Sequence, residues 1–254
     1  METNNIFSTH RLYLLIRRQV FSNGKSLLIA LGGVSGFLLI ISVLVAYFNP
    51  SALIGLTALY FTCMFIGGYI FTSNIFNEMH QIQKSYSFLT LPVSINERLA
   101  AAWLLTGILF PIVSLLIMAA IVLLANLIMN LTVDMAPFQS VFSPTSLKLI
   151  KIYVITQSLF LLGAVYFRKN NFLKTLLALI VVSLVLNIYT GLVGWALFGS
   201  LNSEGMHIDG NNISPAMNQL FTDYIPNMAR FVFNYLTLPF FLVTTWFGLK
   251  ERQV

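Results

Sequence analysis

The chain has 254 residues, of which 57% are hydrophobic and only 9% charged, with a mean hydropathy of +0.84. A soluble domain carries roughly 25% charged residues, so this composition excludes a soluble globular protein and points to an integral membrane one. The net charge of +6 comes from basic residues dispersed at span boundaries, a pattern that gives no case for nucleic-acid binding.

From the N-terminus, residues 1–25 are expected to form an amphipathic helix lying in the headgroup layer. Leu12, Leu15, Ile16 and Val20 share one face at helical spacing. His10, Arg11, Arg17 and Arg18 occupy the opposite arc, where they would meet anionic lipid. A basic leader without fixed structure is the alternative. Asn23-Gly24 reads as the turn into a transmembrane domain over residues 26–254.

A helix needs about 20 apolar residues to cross the hydrocarbon layer. Six such spans are expected, at about 26–48, 52–74, 99–129, 147–167, 172–198 and 230–249. The runs are continuous and leucine-rich, without the alternation of a β-barrel strand. The fold class is therefore all-α, a polytopic membrane protein. The third span is long and contains Pro111, which removes a backbone donor and predicts a kink or tilt. Cys63, the single cysteine, sits within span two and reads as a small buried apolar side chain. No cleavable signal peptide is visible, since the first apolar run starts late and is long enough to stay in the membrane.

The connections are unequal. Asn49-Pro50-Ser51 is a tight turn, and residues 130–146 form a moderate loop. Residues 75–98 are a polar segment with charges of both signs, and residues 199–229 form the longest loop. Met217, Leu220, Phe221 and Tyr224 follow helical spacing and predict a short outer helix before the last span. Eleven of the 14 Lys and Arg fall on the side of both termini and of residues 75–98. By the excess of positive charge on the cytoplasmic side, both termini are cytoplasmic. Asn130-Leu131-Thr132 and Asn212-Ile213-Ser214 match the glycosylation pattern, but nothing else suggests a secretory context.

Catalytic groups are sparse. Gly33-Val34-Ser35-Gly36 resembles the serine motif of rhomboid proteases. However, none of His10, His80 and His207 falls in a span to serve as the base a serine needs. Small residues permitting close helix packing are the preferred reading. Every Asp and Glu lies in a loop or tail, which disfavours an ion-coupled pump acting alone. Polar uncharged residues within the spans, such as Thr62 and Asn187, read as bonds between helices or back to their own backbone.

Within residues 75–98, Leu91-Pro92-Val93-Ser94 breaks any helix, because the residue before proline avoids the α region. Ser94 can then cap a new helix with Glu97 as its capping-box partner. This helix–break–helix elbow carries Glu78, Lys84, Glu97 and Arg98 close to the membrane edge.

Phe88-Leu89-Thr90-Leu91-Pro92-Val93-Ser94, followed by Glu97-Arg98 and an apolar run, resembles the LPVS-type segment of ABC-2-type transporter permeases. The layout of connecting helix, six spans, coupling segment between spans two and three, and outer helix is similar over the full length. Ile95-Asn96 stands where that family often has a basic residue. The resemblance implies the membrane-spanning subunit of an ATP-binding-cassette exporter in a bacterial-type inner (plasma) membrane. Its implied partners are a separate ATP-binding subunit and a second permease chain, identical or homologous, besides membrane lipid. Coupling would fall to Glu78, Lys84, Phe88, Leu89, Leu91, Pro92, Ser94, Glu97 and Arg98. The chain has no phosphate-binding loop, so it would bind no cofactor itself. ATP and Mg would sit on the partner, and this chain would not be an enzyme. The alternative is a non-transporting scaffold or immunity-type protein that binds a partner without ATP.

Overall fold

The computed structural model describes residues 7–48, 53–81, 93–132, 142–198 and 219–251. Every regular element among them is helical. Helix α1 spans Thr9–Phe48, α2 Leu53–Asn74 and the single-turn α3 Asn77–His80. Next, α4 (Ile95–Trp103) passes through a π-helical turn, Leu104–Leu109, into α5 (Phe110–Thr132). Two long helices follow, α6 (Pro144–Tyr166) and α7 (Asn171–Phe198). The last run is π-helical over Leu220–Tyr224, α8 over Ile225–Phe231, π-helical again over Val232–Leu236, and α9 over Thr237–Glu251.

Among the described residues, six helical stretches are long and apolar enough to cross a membrane: Leu28–Val45, Gly55–Asn74, Ile95–Leu127, Pro144–Tyr166, Asn171–Val193 and Thr222–Glu251. They overlap the six expected spans, with the third beginning at Ile95 and the last at Thr222, ahead of the expected 99 and 230; the described residues form an all-helical fold of the multi-pass membrane class.

Two expectations about the ends of these spans need correction. Residues Asn23-Gly24 form no turn; they lie inside the 40-residue α1. A glycine within a helix costs only about 1 kcal/mol relative to alanine. Breaking the helix would instead leave several backbone N–H and C=O groups without partners at two new ends. The expected outer helix is also not separate. Leu220 onward is helical and runs without interruption into the last span. Met217 lies outside the described residues, as do residues 199–218 and the turn at 49–51.

Each π-helical turn is followed within a few residues by a proline: Pro111, Pro226 and Pro239. The first shows the cause. Proline at 111 has no N–H to give and crowds the preceding turn. The helix widens, and the Phe110 N–H bonds the Leu105 carbonyl. The Thr106 carbonyl, thereby released, accepts from the Tyr153 hydroxyl at 2.9 Å. Thr106 Oγ1 donates to Ala102 O at 2.8 Å and accepts from Gln157 Nε2. This wholly buried polar knot joins α4 and α5 to α6.

An apolar core formed by Leu38, Tyr60, Met64, Met118, Ile121 and Tyr153 packs α1, α2, α5 and α6 together. Gly68 and Gly163 mark close helix contacts, as expected where lipid offers no hydrophobic drive to association, whereas Gly32, Gly33 and Gly36 of α1 face open space. Any side chain at Gly68 would strike the Tyr153 ring, and one at Gly163 would strike Thr175. The outer parts of the last two spans differ. From Ile180 to Thr190 every residue of α7 is exposed, and no residue from Ile225 to Leu236 is buried. The apolar side chains of these stretches, unburied within the chain, must be covered by lipid or another chain.

Candidate functional site

Helices α1, α4 and α7 begin, and α2, α6 and α9 end, at the same end of the bundle, and residues 73–80 with 94–97 hold these ends together. The segment starts with an apolar anchor. Phe76 and Met79 are buried with Ala102, Leu161, Val165 and Leu249. Around that anchor, polar groups reach the other helices in turn. The Ser73 carbonyl accepts from Asn171 Nδ2 at the start of α7 (3.1 Å). His80 Nε2 lies 2.8 Å from the Ala164 carbonyl in α6; a carbonyl only accepts, so this nitrogen carries the hydrogen. Asn96 Oδ1 accepts from Trp246 Nε1 in α9 at 2.7 Å.

The contact with α1 is electrostatic and centres on Glu97. Ser94 has the extended backbone of an N-cap, and its Oγ accepts the Glu97 N–H at 3.2 Å. Glu97 Oε2 accepts the Ser94 N–H at 2.8 Å. Both halves of the capping box expected from the sequence are therefore present. The other oxygen, Oε1, accepts the Ser8 N–H at 2.7 Å and lies 3.2 Å from Arg11 Nη2. Ser8 is the last residue before α1, and its carbonyl takes the Leu12 N–H. One wholly buried carboxylate thus serves the N-termini of α1 and α4, where the helix dipole favours negative charge. Two turns along α1, Arg18 lies 3.3 Å from Glu78, whose other oxygen accepts from Ser22 Oγ at 3.4 Å.

This clasp revises the expected orientation of the N-terminal helix. Arg11 and Arg18 do not share the outward arc with Arg17; they flank buried Leu15 on the packed face, beside half-buried Leu12 and Ile16. The outward arc carries His10, Tyr13, Leu14, Arg17 and Phe21. There the Arg17 guanidinium sits over the Phe21 ring at 5.7 Å.

Of the expected coupling residues, the structure brings Ser94 and Glu97 together, while Glu78 stands two turns away along α1. Glu97 and Arg98 are enclosed at 0% and 1% exposure. Lys84, Phe88, Leu89, Leu91 and Pro92 lie outside the described residues. Sequence reasoning missed Phe76, Met79, His80, Asn96 and Trp246. The apolar pair three residues apart at 76 and 79 was the available signal for the anchor.

Ser35 Oγ donates to the Gly32 carbonyl of its own helix at 3.1 Å. Among the described residues, no group of three or more His, Cys, Asp or Glu is placed to hold a metal ion. Comparison with family models, with curated proteins and with solved structures finds no match to this chain.

Proposed function

We propose that the chain is the membrane-spanning permease subunit of an ATP-binding-cassette exporter. A separate ATPase would dock on residues 75–98, and two permease chains would form the path between them. Both termini would lie in the cytoplasm, and the membrane would be the inner (plasma) membrane, following the basic residues at that end of the bundle. The observation that carries the reading is the clasp. A segment of about two dozen residues contacts α1 through Glu78 and Glu97, α6 through His80 and α9 through Asn96. A push delivered there reaches widely separated helices at once, as coupling to a soluble motor requires. Glu97, being enclosed, would act by holding α1 to α4 and would not touch the partner, whereas Glu78 remains reachable.

The test is affinity purification of the full chain from its host in mild detergent, with mass spectrometry of co-purifying proteins. Stoichiometric recovery of an ATPase with a phosphate-binding loop is expected. Its absence, in a detergent that preserves known transporter complexes, would favour the scaffold or immunity-type reading. One feature already leans that way: the Glu97 charge is taken up inside the chain.

A further inference from the structure

Between α1, α2 and α5 lies a cavity of about 640 Å³, within the roughly 300–1,000 Å³ usual for small-molecule sites. Its lining on α1 extends from Gln19 to Leu38, roughly 28 Å at 1.5 Å per residue. That is close to the ~30 Å thickness of a hydrocarbon layer, so the space is long and runs with the helices. Its walls are apolar, with Met64, Phe71, Phe110 and Met118 among them. Tyr60, whose hydroxyl is bonded to Ser42 at 2.6 Å, lines it at the deep end.

The opposite end is polar and rich in acceptors. Glu78 brings a carboxylate to the lining, held by Arg18 at 3.3 Å and Ser22 at 3.4 Å and with lone pairs left to accept a further donor. Asn74 gives one amide hydrogen to the Ile70 carbonyl at 3.0 Å, and its Oδ1 can accept. Gln19 Oε1 is buried and has no hydrogen-bond partner among the described residues. A buried acceptor without a donor destabilises the fold, and a donor-bearing ligand would relieve it.

We propose that this cavity binds one amphiphile lengthwise. Its chain lies along Met64, Phe110 and Met118, and its amine- or hydroxyl-bearing head lies at Gln19, Asn74 and Glu78. An amine-headed bilayer lipid and an amphiphilic amine from water share this chemistry. The site shares Glu78 with the proposed docking segment, but labelling of the purified chain needs no ATPase, so its outcome is read separately from that of docking.

Gly67 gives the means of testing it. A Cβ there meets only the Phe110 ring, at 3.8 Å, so the residue tolerates a side chain at its base, and Gly67→Leu extends that side chain into the cavity Gly67 lines. The full chain in phosphatidylcholine nanodiscs is exposed to hexadecylamine bearing a mid-chain diazirine, irradiated, and its adducts mapped by mass spectrometry. Adducts are expected on Cys63, Met64 and Met118, reduced about tenfold by unlabelled hexadecylamine, by Gly67→Leu and by Ser114→Phe. Adducts on exposed Leu184 and Val185 of α7 should persist in both variants, reporting intact insertion. Competition by phosphatidylethanolamine in the nanodisc would assign the site to bilayer lipid. Competition by the free amine alone would assign it to an amphiphile from water. Absent cavity adducts, cavity labelling that survives both variants, or equal competition by hexadecyl sulfate would overturn the proposal.

Discussion

The Arg11 guanidinium lies 3.2 Å from a Glu97 carboxylate that also accepts the N–H groups of Ser8 and Ser94. Removing the carboxylate strands the Ser8 and Ser94 N–H groups, both at helix starts; removing the guanidinium leaves the carboxylate with both N–H bonds. Glu97→Ala is therefore expected to cost about 3 kcal/mol and Arg11→Ala less. The double variant should be close to Glu97→Ala alone. Thermal unfolding in mild detergent checks this, and equal effects of the two single changes would count against it.

The Arg18–Glu78 pair should behave differently. Both side chains are partly exposed, at 37% and 24%, and such pairs contribute only about 0–1 kcal/mol. Glu78→Lys should leave the unfolding temperature nearly unchanged yet abolish association with an ATPase, or uncouple hydrolysis from transport. A variant that retains normal association and transport would remove Glu78 from any docking role.

Tyr153 and Tyr69 offer a matched comparison inside the membrane. The Tyr153 hydroxyl is the donor to a Thr106 carbonyl that the π-turn has released. Tyr153→Phe orphans that carbonyl and should cost about 1–2 kcal/mol. The Tyr69 hydroxyl pairs with Thr156 Oγ1, which itself bonds the Ile152 carbonyl. Tyr69→Phe leaves no such orphan and should cost clearly less. Urea or detergent-titration unfolding of the two variants decides it; the reverse order would refute the role given to the π-turn.

The contact of Gly163 with Thr175 predicts a second-site rescue. Gly163→Ala drives a methyl into the Thr175 side chain, and overpacking of this kind costs about 1–3 kcal/mol. Thr175→Ala should recover part of the loss. Failure of the double variant to exceed Gly163→Ala in stability would show that the two helices adjust by other means.

What the sequence revealed depended on how local the governing interaction was. The six spans were legible because each is set by its own run of apolar residues. The Ser94–Glu97 capping box was legible because its partners are three residues apart. Pro111 announced a distortion, but not that Leu105 would become the acceptor or that Tyr153 would supply the missing donor, since Tyr153 comes from another helix. The facing of α1 was misjudged for the same reason. Arg11 and Arg18 look like headgroup ligands until Glu97 and Glu78, remote in sequence, are brought beside them. Asn23-Gly24 has the dipeptide preference of a turn, but the cost of two helix ends at a membrane outweighs it.

The continuity of α1 through Asn23-Gly24 has a mechanical consequence. Forty residues at 1.5 Å each make a rod about 60 Å long, roughly twice the hydrocarbon thickness. Its first turns are gripped by Glu97 and Glu78, and its middle forms one side of the cavity that ends near Leu38. With no break between grip and cavity, a pivot or slide at the grip is passed along the same helix to the cavity wall. Any displacement at the clasp is geared directly to the width of the amphiphile's compartment, without a hinge to absorb it.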